Sequence, residues 1–216
     1  MDKVRNYGII ILVITIFLGG ILFNYLRTRQ PTEELQLPQG ETVQVTPLDE
    51  MRVRTAEEDS VIDPDTYNLE VSGLVENPLI LSFEEIMAMN ADERLVDLPC
   101  VEGWTESALW KGPRLSDILD IAGVQEGADN VIFNSPGGYT TSLTLQDIEE
   151  TDPLLAYGAN GEVLPHEQGF PLRLVVPDRL GYKWIKWVQG IQVISGEYEG
   201  YWEGKGYTNE ADAADR

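Results

Sequence analysis

Apolar and polar side chains alternate along much of the chain after residue 66, with the period of two that is typical of β-strands. Residues 67–75 alternate in this way and predict a strand with one buried face. Further short alternating or apolar runs predict strands at residues 79–81, 94–98, 130–135, 139–143, 172–176 and 191–194. The pair Asn160-Gly161 lies between residues 154–157 and 162–164, and it predicts a tight hairpin because it favours the positive φ angles of a type I′ turn.

Short helices are predicted from their end signals. Ser82 and Glu85 form a capping-box pattern that starts one helix. Residues 114–122 follow a proline and are ended by Gly123, as expected for a second helix. A third helical turn begins at Thr144. Many short strands with few short helices predict an α+β domain that is mainly β.

The N-terminal pattern differs, since residues 7–26 carry no charge. A helix of about 20 apolar residues crosses a ~30 Å hydrocarbon core. Tyr7 and Tyr25 stand where interfacial aromatic side chains are expected. The run exceeds the apolar region of a cleaved signal peptide and no small-residue cleavage site follows it. We predict one N-terminal transmembrane helix, with the N terminus inside and the folded domain outside the cytoplasm.

These patterns divide the chain into four predicted parts. Residues 1–29 are a membrane anchor, and residues 30–65, which are acidic and contain four prolines, are a linker. Residues 66–208 are the folded domain. Residues 209–216 are a frayed acidic tail.

Composition excludes several functions. The net charge is −22 over 216 residues, which argues against nucleic acid, whose binding needs neutralised phosphates. It also disfavours binding to anionic lipid. The chain has one cysteine and one histidine, so it cannot form an internal disulfide, a thiolate cluster or a bis-histidine haem site. No phosphate-binding glycine motif of the P-loop or dinucleotide type occurs.

The one cysteine, Cys100, lies in the stretch Leu-Pro-Cys-Val-Glu-Gly-Trp at residues 98–104. A free cysteine is usually a small buried apolar residue. Pro99, however, does not suit the interior of a central strand. We therefore predict that Cys100 lies in a loop, where its thiol is placed to react or to bind. A cysteine–histidine hydrolase that uses Cys100 and His166 is one alternative.

A second candidate is a basic cluster in this acidic chain, formed by Arg173, Arg179, Lys183 and Lys186. Arginine and lysine suit a bound phosphate, so the cluster indicates an anion site. The alternative is a set of surface charges that pair with the abundant carboxylates, each contributing little.

Several motifs, in this order and spacing, resemble the sulfite oxidase-like molybdopterin-binding family, closest to its methionine-sulfoxide-reductase catalytic subunit branch. They are residues 98–104, Trp-Lys-Gly at 110–112, Gly-Tyr-Thr-Thr at 138–141, Gly-Phe-Pro-Leu-Arg-Leu-Val-Val-Pro at 169–177, Gly-Tyr-Lys-Trp-Ile-Lys-Trp at 181–187 and Gly-Tyr-Trp at 200–202. The resemblance covers residues 67–207 and implies a mixed α+β fold around β-sheets.

The resemblance implies a molybdenum-molybdopterin cofactor. Cys100 would be the protein thiolate on molybdenum, beside the dithiolene of the molybdopterin, and a metal-bound cysteine is deprotonated. Tyr139 would lie near the metal and form a hydrogen bond with the substrate or an oxo ligand. The pterin and its phosphate would be bound by Ser135, Gln168, Arg173, Trp184, Ile185 and Lys186.

Three departures from the family pattern bear on function. Sulfite-oxidising relatives surround their substrate with arginines, whereas Arg94 is the one arginine near Cys100 in the sequence. The cofactor-binding segment that precedes the first strand in the reductase branch has no clear counterpart before Tyr67. No twin-arginine pair precedes the predicted anchor.

The sequence thus predicts a membrane-anchored molybdenum oxidoreductase for two-electron oxygen-atom transfer on a small substrate, and favours S- or N-oxide reduction over sulfite oxidation. Electrons would come from a membrane haem or quinone-linked partner. The alternatives are a degenerate family member that acts as a binding or scaffold module, and the hydrolase.

Overall fold

Two β-sheets position the residues that were predicted to carry chemistry. The computed structural model describes residues 32–37 and 40–215. The strands are β1 (Glu33–Gln36), β2 (Thr42–Val45), β3 (Asn68–Gly73), β4 (Leu79–Ser82), β5 (Asp92–Pro99), β6 (Thr105–Gly112), β7 (Asn130–Asn134), β8 (Thr140–Thr144), β9 (Leu154–Ala156), β10 (Gly158–Ala159), β11 (Glu162–Val163), β12 (Arg173–Val175) and β13 (Gly190–Ile194). The helices are α1 (Phe83–Ala88), α2 (Leu115–Ala122) and α3 (Leu145–Thr151).

The larger sheet has five strands in the order β4-β3-β13-β7-β8. Strands β3 and β13 pair in parallel, and the other pairs in this sheet are antiparallel. A second sheet has the order β11-β10-β6-β5, and β9 pairs with β12 as a separate two-stranded sheet. This architecture confirms the predicted mainly-β α+β fold.

The core fills with side chains from both sheets and from α2. Trp110 of β6, Phe133 of β7 and Trp187 are fully buried. Helix α2 buries Leu115 and Ile118 on one face, as its amphipathic pattern requires. Burial of these apolar faces away from water packs the sheets and α2 against one another. This packing fixes the strand ends that form the site.

The local end signals form as predicted. The Ser82 side chain accepts the backbone N–H of Glu85 and the Glu85 carboxylate accepts the backbone N–H of Ser82, which completes the capping box of α1. Thr144 caps α3 with the same reciprocal bonds. Gly123 ends α2 in the left-handed conformation.

The segment predicted as a linker is different in the structure, because part of residues 30–65 packs on the domain. Strands β1 and β2 pair as an antiparallel hairpin. Leu48 and Met51 are buried in the main core, and the Thr46 N–H donates to Ser107 O of β6 at 2.7 Å. Widely spaced apolar residues within an acidic, proline-containing segment are enough to fix it to the sheet.

The predicted frayed tail also has ordered contacts over its described part. Ala211 is fully buried, and its carbonyl accepts the Leu180 N–H at 2.7 Å. The Ala213 N–H donates to Asp178 O at 3.0 Å. The tail therefore covers the loop near residue 180.

The predicted membrane anchor, residues 1–29 with the apolar run 7–26, lies outside the described residues. Within residues 32–37 and 40–215, no helix is long and apolar enough to cross a membrane.

Candidate cofactor and active site

A cavity of about 310 Å³ brings together most of the predicted site residues. Those that line it are Cys100, Tyr139, Gln168, Arg173, Trp184, Ile185 and Lys186. They come from the end of β5, the start of β8 and the loops around β12, so residues far apart in the sequence share one cavity. Ser135 is the one predicted site residue that does not line it.

Cys100 lies in the loop of the β5–β6 hairpin, as its proline neighbour predicted. Its N–H donates to Trp104 O and its carbonyl accepts the Gly103 N–H, both at 2.9 Å. Gly103 has φ +88°, which favours glycine at this turn. The tight turn places the half-buried thiol at the cavity.

The surroundings of Cys100 keep its thiol protonated in the absence of a metal. Burial raises the pKa of the Cys100 thiol, and the carboxylates of Glu102 and Glu106 raise it further, against the opposing effects of a backbone hydrogen bond and Arg54. A bound metal reverses this, because coordination stabilises the thiolate directly. The raised pKa therefore disfavours a free thiolate nucleophile, while the half-buried thiol at the cavity is accessible to a metal.

Arg173 is buried in the cavity wall at the start of β12. Its Nη1 donates to the carbonyl and to Oε1 of Gln168 at 3.1 and 3.0 Å, and its guanidinium lies 5.4 Å from the Trp110 ring centroid. Nε is buried without a hydrogen-bond partner in the described residues. Burial lowers the pKa of Arg173 to about 10.

Lys186 lies beside Arg173. Its Nζ donates to Glu167 O at 2.8 Å and lies 4.4 Å from the Trp187 ring centroid. Burial and the charge of Arg173 lower its pKa to about 8. Gly169 lets the two stems approach, since a Cβ there would lie 3.1 Å from the Cβ atoms of both Arg173 and Lys186.

Neither cation has a carboxylate partner among the ion pairs that the described residues form. Two unpaired, buried positive charges in one cavity are unfavourable unless an anion binds there. The residues therefore fit the phosphate end of a molybdopterin, with Cys100 available to its metal. Surface ion pairing, the alternative for this cluster, does not describe Arg173 and Lys186.

The shifted pKa of Lys186 predicts a pH effect on the cofactor-free protein. The charged form of a lysine whose folded-state pKa lies below 10.5 destabilises the folded state. This destabilisation is fully present below about pH 8 and decreases as the pH rises towards 10.5. Relative to a Lys186→Met variant, the wild type should gain about 2 kcal/mol in unfolding free energy between pH 7 and 9.5. Urea unfolding at both pH values measures this. A difference that stays constant with pH would contradict it.

Ser135 contacts Glu57, a cavity residue that was not predicted from the sequence. Its hydroxyl donates to the carboxylate of Glu57, which lines the cavity. The Tyr139 N–H donates to the same carboxylate at 3.3 Å. Ser135 can therefore make the predicted contact with the pterin only if the Glu57 carboxylate moves away from its hydroxyl.

Two arginines in the cavity were also missed. Arg52 and Arg54 line it from the segment that was predicted to be a linker. Arg94, by contrast, forms ion pairs with Asp92 and Asp152 and does not line the cavity. Thr55, Ala56 and Glu57 line the cavity from the same segment before Tyr67.

Both arginines are neutralised by carboxylates. Arg52 Nη1 lies 3.3 Å from Glu106 Oε1, and Arg54 Nη2 lies 3.1 Å from Glu102 Oε2. Burial raises the pKa of Glu106 in spite of Arg52. With Glu57 also present, this part of the cavity carries no excess of positive charge.

An aromatic wall forms one side of the cavity. Its rings contact one another in the order Tyr139, Tyr201, Trp202, Tyr207 and Tyr182. The centroids of neighbouring rings lie 5.1–5.5 Å apart. All except Tyr201 line the cavity. The Tyr139 hydroxyl donates to Tyr182 O at 2.5 Å, so the catalytic hydrogen bond predicted for it requires that this bond be exchanged.

The hydrolase alternative finds no support in the site. His166 does not line the cavity that Cys100 lines. Its Nδ1 instead lies 2.9 Å from Glu167 Oε2. The cysteine therefore has no histidine base in this arrangement.

A mainly-β domain with a thiol and two unpaired cations in one cavity has the features of a site for an anionic, metal-containing cofactor. The chain belongs to the oxidoreductase molybdopterin binding domain family, which its sequence matches over residues 56–202. This confirms the resemblance drawn from the motifs.

Individual relatives agree with this assignment. The uncharacterized oxidoreductase YuiH of Bacillus subtilis is 39% identical over 183 residues, which cover 84% of this chain and 90% of YuiH. The protein-methionine-sulfoxide reductase catalytic subunit MsrP of Gluconobacter oxydans is 33% identical, with 68% of this chain and 53% of MsrP covered.

Among solved structures, the sulfane dehydrogenase SoxCD of Paracoccus pantotrophus matches with a TM-score of 0.62 at 22% identity, over 80% of this chain and 52% of that chain. This likeness shows the fold. The chain spans about half the length of MsrP and of the SoxCD chain.

Proposed function

We propose that this molybdopterin-binding oxidoreductase reduces S-oxides or N-oxides by two-electron oxygen-atom transfer, with Cys100 as the protein ligand of molybdenum. The observation that carries the proposal is the shared cavity of Cys100 with two buried cations that lack carboxylate partners. The relative named as a methionine-sulfoxide reductase supports the reductive direction.

Different residues of the chain bind different parts of the cofactor. Arg173 and Lys186 bind its phosphate, Gln168 orients Arg173, and Trp184 and Ile185 pack against the pterin. When bound, the molybdenum cofactor supplies the oxygen-atom and electron transfer. Reduction of an S-oxide consumes two electrons and two protons and releases the reduced sulfur compound and water.

The charges on the substrate side favour a neutral substrate over sulfite. Arg52 and Arg54 are each paired with a carboxylate, and Glu57 adds a further negative group. With Arg173 and Lys186 assigned to the cofactor phosphate, a sulfite anion on this side of the cavity would find both arginines already paired. A neutral S-oxide meets no such cost, and the aromatic wall offers contact to its organic part.

A reciprocal assay tests the direction and the substrate class. With a reduced dye as electron donor, kcat/KM for an organic S-oxide or N-oxide should exceed that for sulfite with an oxidised dye by at least about tenfold. Faster sulfite oxidation than reduction of every oxide would refute this direction.

The cellular setting is a further part of the proposal. We propose that residues 7–26 anchor the protein as a single-pass membrane protein with the domain outside the cytoplasm. The electrons then come from a membrane haem or quinone-linked partner, because one cysteine and one histidine cannot ligate a haem pair or an iron–sulfur cluster. The net charge of −22 argues against a role in nucleic-acid binding.

A further inference from the structure

Lys183 and Glu203 form an ion pair inside the protein. Their side chains are 0% and 1% exposed, and Lys183 Nζ lies 2.6 Å from Glu203 Oε1. Lys183 Nζ also donates to Ser142 O at 2.9 Å and to Asn209 Oδ1 at 3.2 Å. This network is separate from the hydrogen bonds of Arg173 and Lys186.

The pair joins three segments of the chain. Lys183 ends the short 3-10 turn Gly181–Lys183, and Glu203 begins the turn Glu203–Lys205. Glu203 Oε1 also accepts the Thr141 hydroxyl of β8 at 2.8 Å. One carboxylate oxygen therefore ties β8, the 181–183 turn and the C-terminal segment together.

Each of these segments contributes to the aromatic wall. Tyr139 immediately precedes β8, Tyr182 is the neighbour of Lys183, and Trp202 is the neighbour of Glu203. Tyr207 follows in the C-terminal segment and contacts the rings of both Tyr182 and Trp202. The wall is therefore assembled from the same segments that the ion pair connects.

The chemistry of the pair suits positioning more than stabilisation. Burying two charges is costly, and a well-packed apolar pair of similar volume is often as stable. What an ion pair adds is direction, because its hydrogen bonds fix the separation and orientation of the segments. Aromatic rings that pack edge to face tolerate several arrangements, so the rings alone do not fix the shape of the wall.

We propose that Lys183 and Glu203 are positioning residues that hold the aromatic wall in place to bind an apolar substituent of an S-oxide substrate. This rests on the proposed S-oxide reduction. The pair acts on the organic part of the substrate, since Arg173 and Lys186 hold their own hydrogen bonds without it. It therefore sets the discrimination between S-oxides with large and small apolar groups.

Lys183→Met and Glu203→Met test this with two S-oxides of different size, methyl p-tolyl sulfoxide and dimethyl sulfoxide. KM for the aryl compound should rise by about tenfold or more, the effect expected when an apolar pocket loses part of its contact, while KM for dimethyl sulfoxide changes far less. The molybdenum content per chain should match that of the wild type. Glu203→Met carries the test if Lys183→Met does not fold, since it removes the oxygen that accepts from both Lys183 and Thr141.

A double variant separates positioning from simple stability. Lys183→Met/Glu203→Met removes both buried charges, so its melting temperature should recover towards that of the wild type. If the pair positions the wall, the KM for methyl p-tolyl sulfoxide stays high in this variant. Recovery of KM together with stability would overturn the proposal.

A binding measurement without turnover gives an independent result. Methyl p-tolyl sulfide should quench tryptophan fluorescence of the cofactor-free wild type, and the variants should need about tenfold more for half of the effect. Arg114→Met, which breaks a partly exposed pair with Asp117 on α2, should behave as the wild type. Equal quenching in all variants would overturn the inference. A wild type without molybdenum and without S-oxide reduction would instead refute the proposed function.

Discussion

Cys100→Ser is expected to lower the turnover of an S-oxide by more than about 100-fold, since replacing even residues that only support metal ligands costs 10–100-fold. The reason is chemical. Serine keeps the shape of the side chain, but its hydroxyl does not provide the soft, easily deprotonated donor that the thiol provides. No second cysteine in the chain can take its place.

The same variant should separate the metal ligand from the rest of the site. Arg173 and Lys186 still hold the phosphate end, so cofactor content should fall much less than activity. Cys100 is half-buried in a hairpin loop, so the cofactor-free variant should melt within a few degrees of the cofactor-free wild type. Activity above half of the wild-type value would show that Cys100 is not the ligand.

Arg173→Met is expected to weaken cofactor retention while leaving the cofactor-free fold intact. Losing a charged hydrogen-bond donor to phosphate costs about 1.5–3 kcal/mol, or about 10–150-fold in affinity. The free protein loses the bonds to Gln168 but is relieved of a buried, unpaired charge. We expect these effects to cancel to within about 1 kcal/mol of unfolding free energy.

Cofactor retention after dialysis and urea unfolding of the cofactor-free protein measure the two halves of this prediction. Arg114→Met is the matched control, since it removes an exposed arginine that pairs with Asp117. An Arg173 variant that retains the cofactor fully but unfolds several kcal/mol more easily would mark Arg173 as a structural residue instead.

Local chemistry explains why much of the fold was predictable. The capping box at Ser82 and Glu85 depends on residues three apart, and the loop at Cys100 follows from the neighbouring proline. Strand β6 was not predicted, because both of its faces are largely buried between 105 and 112 and its sequence lacks a clean alternation.

The missed parts of the site depend on contacts between distant residues. Arg52 bonds Glu106 across 54 positions, and Glu57 bonds Ser135 across 78 positions. Residue 52 lies in an acidic, proline-containing segment, and the sequence around it has no local pattern that predicts these contacts. The cavity residues of the C-terminal half were predicted from the motifs that resemble the family, and the structure places them in one cavity.

The preference against sulfite oxidation was predicted from the number of arginines near Cys100. It relied on Arg94 as the one nearby arginine, yet the structure places Arg52 and Arg54 at the cavity. The preference for a neutral substrate now depends on the carboxylates that neutralise both arginines. The conclusion is unchanged, but its reason is the balance of charge instead of the number of arginines.

We propose that Cys100, Arg173 and Lys186 form one site for a molybdenum cofactor. The most direct test is to measure molybdenum and molybdopterin in the wild-type protein purified from a host that makes the cofactor. We predict stoichiometric amounts of both per chain. Wild-type protein that is folded but contains neither, when a known molybdopterin enzyme made in the same host is fully loaded, would contradict the account.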